Sequence, residues 1–142
     1  MHKLNCYIFI FLFAFLLSTS VSAKNTYFDE GKKLFEKKKF SESKFKFEKD
    51  IVFNPKSEMS YLYLAKIFNE DKSNILEEQN LNTVILLNPQ NEEAVFLLTL
   101  VKIRQSDYSS SEKLIDSFKK ICVNLCEKQK ELITKLKNLQ TQ

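Results

Sequence analysis

Cys122 and Cys126 are the most reactive pair of side chains in this 142-residue chain. Their C-x-x-x-C spacing differs from the C-x-x-C of dithiol redox catalysts, and no strand-rich pattern surrounds them. In an exported protein an even pair points to a structural disulfide. Within a regular helix the two Cβ atoms would be poorly aimed at each other, so the bond requires a bent backbone between them. The one histidine is His2, near the N-terminus, and the third cysteine, Cys6, lies in the same segment. Past that segment no imidazole is left for Ser-His-Asp or Cys-His catalysis, or for zinc sites that mix cysteine with histidine. A single glycine, Gly31, cannot build a phosphate-cradling loop. Glu77 and Glu78, like Glu92 and Glu93, are adjacent in sequence, and adjacent residues of a helix do not face each other. Both pairs therefore read as solvated surface. The expectation is a protein that is not an enzyme and carries no metal and no cofactor.

The segment holding His2 has its own character. Residues 1–23 contain one charged side chain, Lys3, and a wholly apolar run from Tyr7 to Leu17, followed by a polar stretch that ends small-x-small at Val21 and Ala23. This is the layout of a signal peptide, and the apolar run is shorter than the roughly 20 residues that a spanning helix needs. The sequence predicts export to the periplasm with cleavage after Ala23. The alternative is an uncleaved anchor over residues 7–22, with the rest of the chain on the periplasmic side of the inner membrane, and membrane contact is expected only through this segment. The remaining 119 residues suffice for one domain with one core.

Charge in that domain is uneven. Residues 24–57 hold ten lysines against six carboxylates, residues 58–91 two against five, and residues 92–142 nine cations against seven carboxylates. The front lysines are interleaved with Glu36, Glu42, Glu48 and Asp50, and the chain has one arginine. Phosphate-reading surfaces favour arginine's planar fork, so no nucleic-acid partner is expected.

Scarce glycine and proline favour long helices, and the two prolines measure a repeat. Pro55 and Pro89 lie 34 residues apart, each after an asparagine. Blocks of that length, 24–57, 58–91 and 92–125, align Gly31 with Ala65 and Thr99, Tyr27 with Tyr61 and Val95, and Phe47 with Leu81 and Ile115. Ser43 and Ser111 share a column that Glu77 breaks, and Phe40 and Tyr108 share one that Asn74 breaks. A glycine inside a helix costs about 1 kcal/mol relative to alanine, so Gly31 implies close helix–helix approach. Tyr61, Leu64, Ala65 and Phe68 recur at helical spacing, and Asp107 or a neighbouring serine is placed to cap a helix that begins near Tyr108. Residues 126–140 form a last amphipathic helix with Leu132, Ile133, Leu136 and Leu139, together with Leu125, on one side. A repeat array does not leave its final apolar face in water, so this helix caps the stack. Seven helices are predicted.

These residues resemble the tetratricopeptide repeat family, whose unit is a 34-residue helix-turn-helix with small residues in each helix and a closing proline. Block one carries Tyr27, Gly31, Leu34, Phe40, Ser43, Phe47 and Pro55 at the marker places. Block two carries Leu64, Ala65, Phe68, Leu81 and Pro89 but departs at Asn74 and Glu77. Block three carries Leu98, Tyr108, Ser111 and Ile115, with Lys102 in an apolar place and Val123 where proline would stand. The resemblance implies an all-α solenoid of about three hairpins plus the capping helix, and an interaction module whose first helices line a groove for a peptide or helix. Its candidates are Phe28, Lys32 and Phe35, then Leu62, Lys66 and Asn69, then Phe96, Leu100 and Ile103. A stripe at helical spacing does not separate groove from core, and both readings stay open for these nine. Phe28 and Leu62 do not suit the family's carboxylate clamp, which implies an apolar guest. Two other roles remain: a membrane-anchored envelope assembly factor, and a structural subunit of a larger complex.

Overall fold

The computed structural model describes residues 26–140, and over them the chain is all helix and turn. The expected leader and its cleavage point lie outside the described residues. The helices are α1 (Thr26–Glu36), α2 (Phe40–Phe53), α3 (Glu58–Glu70), α4 (Asn74–Leu87), α5 (Glu92–Arg104), α6 (Tyr108–Ile121) and α7 (Lys128–Gln140). Seven helices match the sequence expectation, and α2, α4 and α6 begin 34 residues apart. Each packs antiparallel on the helix before it, giving hairpins α1–α2, α3–α4 and α5–α6, and α7 lies against both α5 and α6.

The three hairpin turns share one backbone solution. The last turn of each first helix closes with hydrogen bonds such as Lys38 N to Phe35 O at 2.8 Å and Lys39 N to Leu34 O at 3.0 Å, repeated at Lys72–Ser73 and Ser106–Asp107. This pairing of carbonyls three and five residues back is the Schellman termination, which requires a left-handed residue. Lys38, Lys72 and Ser106 supply it with φ of 58°, 55° and 58°. None is glycine, so each side chain bears steric strain that glycine would lack. Lys72→Gly is expected to stabilise the chain by about 0.5–1 kcal/mol, read as a raised urea midpoint at unchanged slope.

The second helices stop for a different reason. A residue before proline is driven out of the helical region. Asn54 and Asn88, preceding Pro55 and Pro89, are turned away from it with φ of −134° and −143°. The prolines themselves are exposed, so they terminate helices and do not pack. In the third hairpin Cys122 occupies the equivalent place with φ −64° and ψ 135°.

Small residues sit where helices cross. Gly31 is buried, its carbonyl accepts a 2.8 Å hydrogen bond from Ser43 Oγ, and a Cβ placed on it would lie 2.8 Å from Cε1 of Phe47. Ala65 and Thr99 are likewise buried in their hairpins, and Ser111 Oγ bonds the Asp107 carbonyl at 2.7 Å. Asp107 caps α6 by accepting from Ser110 N at 3.1 Å. Phe47, Leu81 and Ile115 are core residues, while Tyr61 and Tyr108 pack half-buried beside the core. Tyr27 stacks on Phe53, and Phe40 meets Phe35 at a tilt of 60°. The final helix begins at Lys128, two residues later than expected, because Cys126 and Glu127 form a turn. Leu132 and Leu136 are buried beneath it, but Ile133 and Leu139 stay exposed, a narrower stripe than the sequence suggests.

Candidate functional site

The first helices of the three hairpins share one face of the molecule. The α1–α3 seam is aromatic: Tyr63 meets Phe28 at 5.8 Å, Phe35 at 5.0 Å and Phe47 at 5.0 Å between ring centroids. Such offset and edge contacts add about 0.5–1.5 kcal/mol per pair beyond area burial. The α3–α5 seam is ionic, with Lys66 Nζ 2.7 Å from Glu93 and also 5.0 Å from the centre of the Tyr63 ring. Between the seams opens a pocket of about 210 Å³ lined by Phe35, Lys66, Asn69, Glu70, Glu77 and Leu97.

Of the nine residues singled out for a groove, Lys32 and Asn69 are exposed and Phe28, Phe35, Lys66, Phe96 and Leu100 are half-buried. Leu62 and Ile103 are a correction: both are buried in the core, at 1% and 4% exposure, Leu62 presenting nothing to a guest and Ile103 only an edge to an opening of about 360 Å³ between α5 and α7. Tyr63 and Leu97 take their place. A step of one residue turns a helix by about 100°, enough to exchange core for surface. The Phe28–Tyr63 partnership spans 35 residues, so a strict 34-residue column hides it. Phe96 and Leu100 pack against the core shared by the third hairpin and α7, with Leu100 also lining the opening between α5 and α7, which leaves the α1–α3 portion and Leu97 as the part of the face clear of α7.

The floor of the pocket overturns a second expectation. Glu77 is not solvated surface: its side chain is 2% exposed. Both carboxylate oxygens are satisfied, one by Asn69 Nδ2 at 2.9 Å and the other by Arg104 NH2 at 2.5 Å. A buried charge is tolerated only when paired in this way. Glu78 is also engaged, accepting from Lys102 at 2.6 Å and from Gln105 at 2.9 Å. The Lys102 bond, more than any other cause, holds its carboxyl below the ordinary glutamate range. Lys102, out of place in an apolar position, thus ties α4 to α5. Among the described residues no group of three His, Cys, Asp or Glu converges to hold a metal ion.

The lid over Phe96 and Leu100 is held at its hinge. Cys122 and Cys126 form a disulfide with Cα atoms 5.1 Å apart across the bend between α6 and α7. The same bend wraps the Glu92 carboxylate, which accepts from Leu125 N at 2.8 Å and Asn124 N at 3.0 Å. Glu58 does the same work one repeat earlier, accepting from Asn88 Nδ2 at 3.0 Å and Asn91 Nδ2 at 2.5 Å. Reducing the disulfide reopens a loop of five residues, and the expected loss is about 2 kcal/mol. Denaturant melts with and without a dithiol reductant measure it. Glu92 is held below the ordinary glutamate range, chiefly by the Leu125 N–H. A carboxyl with a depressed folded pKa contributes stability above its unfolded pKa and loses it as pH falls through the folded one. Acid titration below the ordinary glutamate range should therefore loosen the 122–126 bend, and a Glu92→Gln variant should lack that step when followed by amide exchange at Asn124 and Leu125.

No protein-family model and no curated protein matches this sequence. Solved structures do match the fold. The TPR2B domain of yeast Sti1, in its pHsp70 complex, is 17% identical with a TM-score of 0.74, over 80% of this chain and 94% of that one. The first TPR of Spaghetti (RPAP3), bound to the HSP90 peptide SRMEEVD, is 16% identical with a TM-score of 0.73, over 85% and 99%. The Sgt2 TPR domain from Aspergillus fumigatus is 12% identical with a TM-score of 0.69, over 82% and 78%. The described chain therefore has the tetratricopeptide repeat fold.

Proposed function

We propose that this tetratricopeptide repeat fold is a non-catalytic interaction module that binds a peptide or helix on the face made by α1, α3 and α5. The observation that carries the reading is the open pocket between the aromatic and ionic seams, with Phe35 and Leu97 as apolar walls and Lys66 and Asn69 at hydrogen-bonding positions. Pockets that are mostly apolar with a few placed polar groups are the usual form of a binding site. Two solved structures of the same fold are complexes, one with pHsp70 and one with an HSP90 peptide. Here Phe28 stands on the α1 face and Lys66 is already paired with Glu93, which favours an apolar guest over a free chain terminus. Export to the periplasm or cell envelope belongs to the same proposal, supported by the apolar run Tyr7–Leu17 with its small-x-small ending and by a disulfide that an oxidising compartment would maintain.

A photo-reactive side chain placed at Lys32 or Asn69 in the full chain, irradiated in intact cells, should capture one discrete protein. The same group at exposed Gln79, on the outer helix α4, should not. Equal capture from all three positions, or none from Lys32 and Asn69, would sink the reading.

A further inference from the structure

The outer face of α2 is apolar, cationic and covered by none of the described residues. This helix buries Ser43, Phe47 and Asp50, and turns Phe45, Val52 and Phe53 outward at 54%, 75% and 74% exposure. Lys49 lies among them, with Nζ 4.6 Å from the centre of the Phe45 ring and 5.5 Å from that of Tyr27. Tyr27 in turn stacks on Phe53 at 5.7 Å. Aromatic rings interleaved with lysine on an exposed helix are the composition of an interfacial membrane contact, where rings enter the headgroup layer and cations meet anionic lipid. We propose that this face docks on an anionic lipid surface.

Two observations choose a membrane over a protein partner. The first is charge. The α1–α2 hairpin, residues 26–53, holds eight lysines against six carboxylates, and three of the carboxylates are already engaged. Asp50 is buried and bonded to Ser60, Glu30 pairs with Lys46, and Glu42 pairs with Lys39. Lys49 and Lys56 form no ion pair among the described residues, leaving exposed Glu48 as the negative charge on the α2 stripe. The surplus presented outward is positive. The second is the chain path. Tyr27, in the first turn of α1, lies directly on Phe53, so the chain enters its fold at the patch. Eight residues, 18–25, separate α1's start from the apolar run Tyr7–Leu17, a reach of roughly 30 Å at full extension. A bilayer holding that run is within reach of the patch. The contact does not depend on the run being retained, since the rings and lysines belong to the folded domain.

The chain has no tryptophan, so Phe53→Trp in the full-length protein makes a sole, selectively excited tryptophan that preserves the ring stack. With phosphatidylglycerol vesicles its emission should shift to the blue and become shielded from aqueous quencher, with much less change in phosphatidylcholine. Ile133→Trp, on α7 at the far end of the array, should respond to neither. Lys49→Gln and Lys56→Gln should each lower the anionic-over-neutral preference about fivefold. Phe45→Trp repeats the reading should position 53 disturb the fold. Equal shifts in both lipids, an equal response at position 133, or a shift produced by a protein extract and by no vesicle would overturn the proposal.

Discussion

Gly31→Leu is expected to destabilise the chain by about 3 kcal/mol, at the upper end of what overpacked cores lose. The cause is the Phe47 ring, three of whose carbons would lie 2.8–3.0 Å from the new Cβ before any further side-chain atom is added. The ring has nowhere to go, because it is fully buried and stacks on Tyr63 with an interplanar angle of 19°. Even Gly31→Ala should destabilise, although alanine's helix propensity gains about 1 kcal/mol over glycine. That opposition makes a sharp test. In a Phe47→Leu background the ring is gone, and Gly31→Ala should turn neutral or stabilising, a coupling that a double-mutant cycle by urea melting would measure. An unchanged urea midpoint for Gly31→Leu would mean that α1 and α2 do not cross where the structure places them. Because Tyr63 also borders the proposed binding face, the same variant should loosen the α1–α3 seam and weaken the capture expected there.

Arg104→Ala should cost on the order of 2–3 kcal/mol, a large loss for one partly exposed side chain. Breaking a buried ion pair by removing one partner typically costs about 3–5 kcal/mol, since the other charge stays buried without compensation. Arg104 is 38% exposed while Glu77 is 2% exposed, so water shares the work and the figure is discounted accordingly. The loss comes from stranding Glu77, not from the worth of the pair. Glu77→Ala combined with Arg104→Ala should therefore be more stable than Arg104→Ala alone, the more so because serine occupies the matching places in the other hairpins, Ser43 and Ser111. A double variant no better than the single one would show that the pair is a net source of stability. Restoring a small residue at position 77 also deepens the pocket, so affinity for an apolar guest should change along with stability.

The repeat was legible because it is local. Two prolines fix the period, each removes its preceding asparagine from the helical region, and one glycine marks a helix crossing. The disulfide could be foreseen from its position at a bend. Glu77 could not, since its partners come from Asn69 on the previous helix and Arg104 at the end of the next, and nothing in a run of adjacent carboxylates signals that one turns inward. The groove was legible as a face but not to the residue. Core and surface positions differ by one step of helical rotation, so Leu62 was included and Tyr63 missed. The left-handed turn residues were silent for another reason: two lysines and a serine hold a conformation that sequence associates with glycine.

The lid formed by α7 also decides how copies of this chain can meet. Its exposed positions include Lys130, Ile133 and Lys137, and it occupies the surface on α5 and α6 where a fourth hairpin would stack. Head-to-tail growth into a filament is thereby stopped at one end, and the number of units is set by the polypeptide itself. Trimming the chain at the Cys122–Cys126 bend would expose Phe96, Phe118 and their neighbours, and the expected product is open-ended self-association.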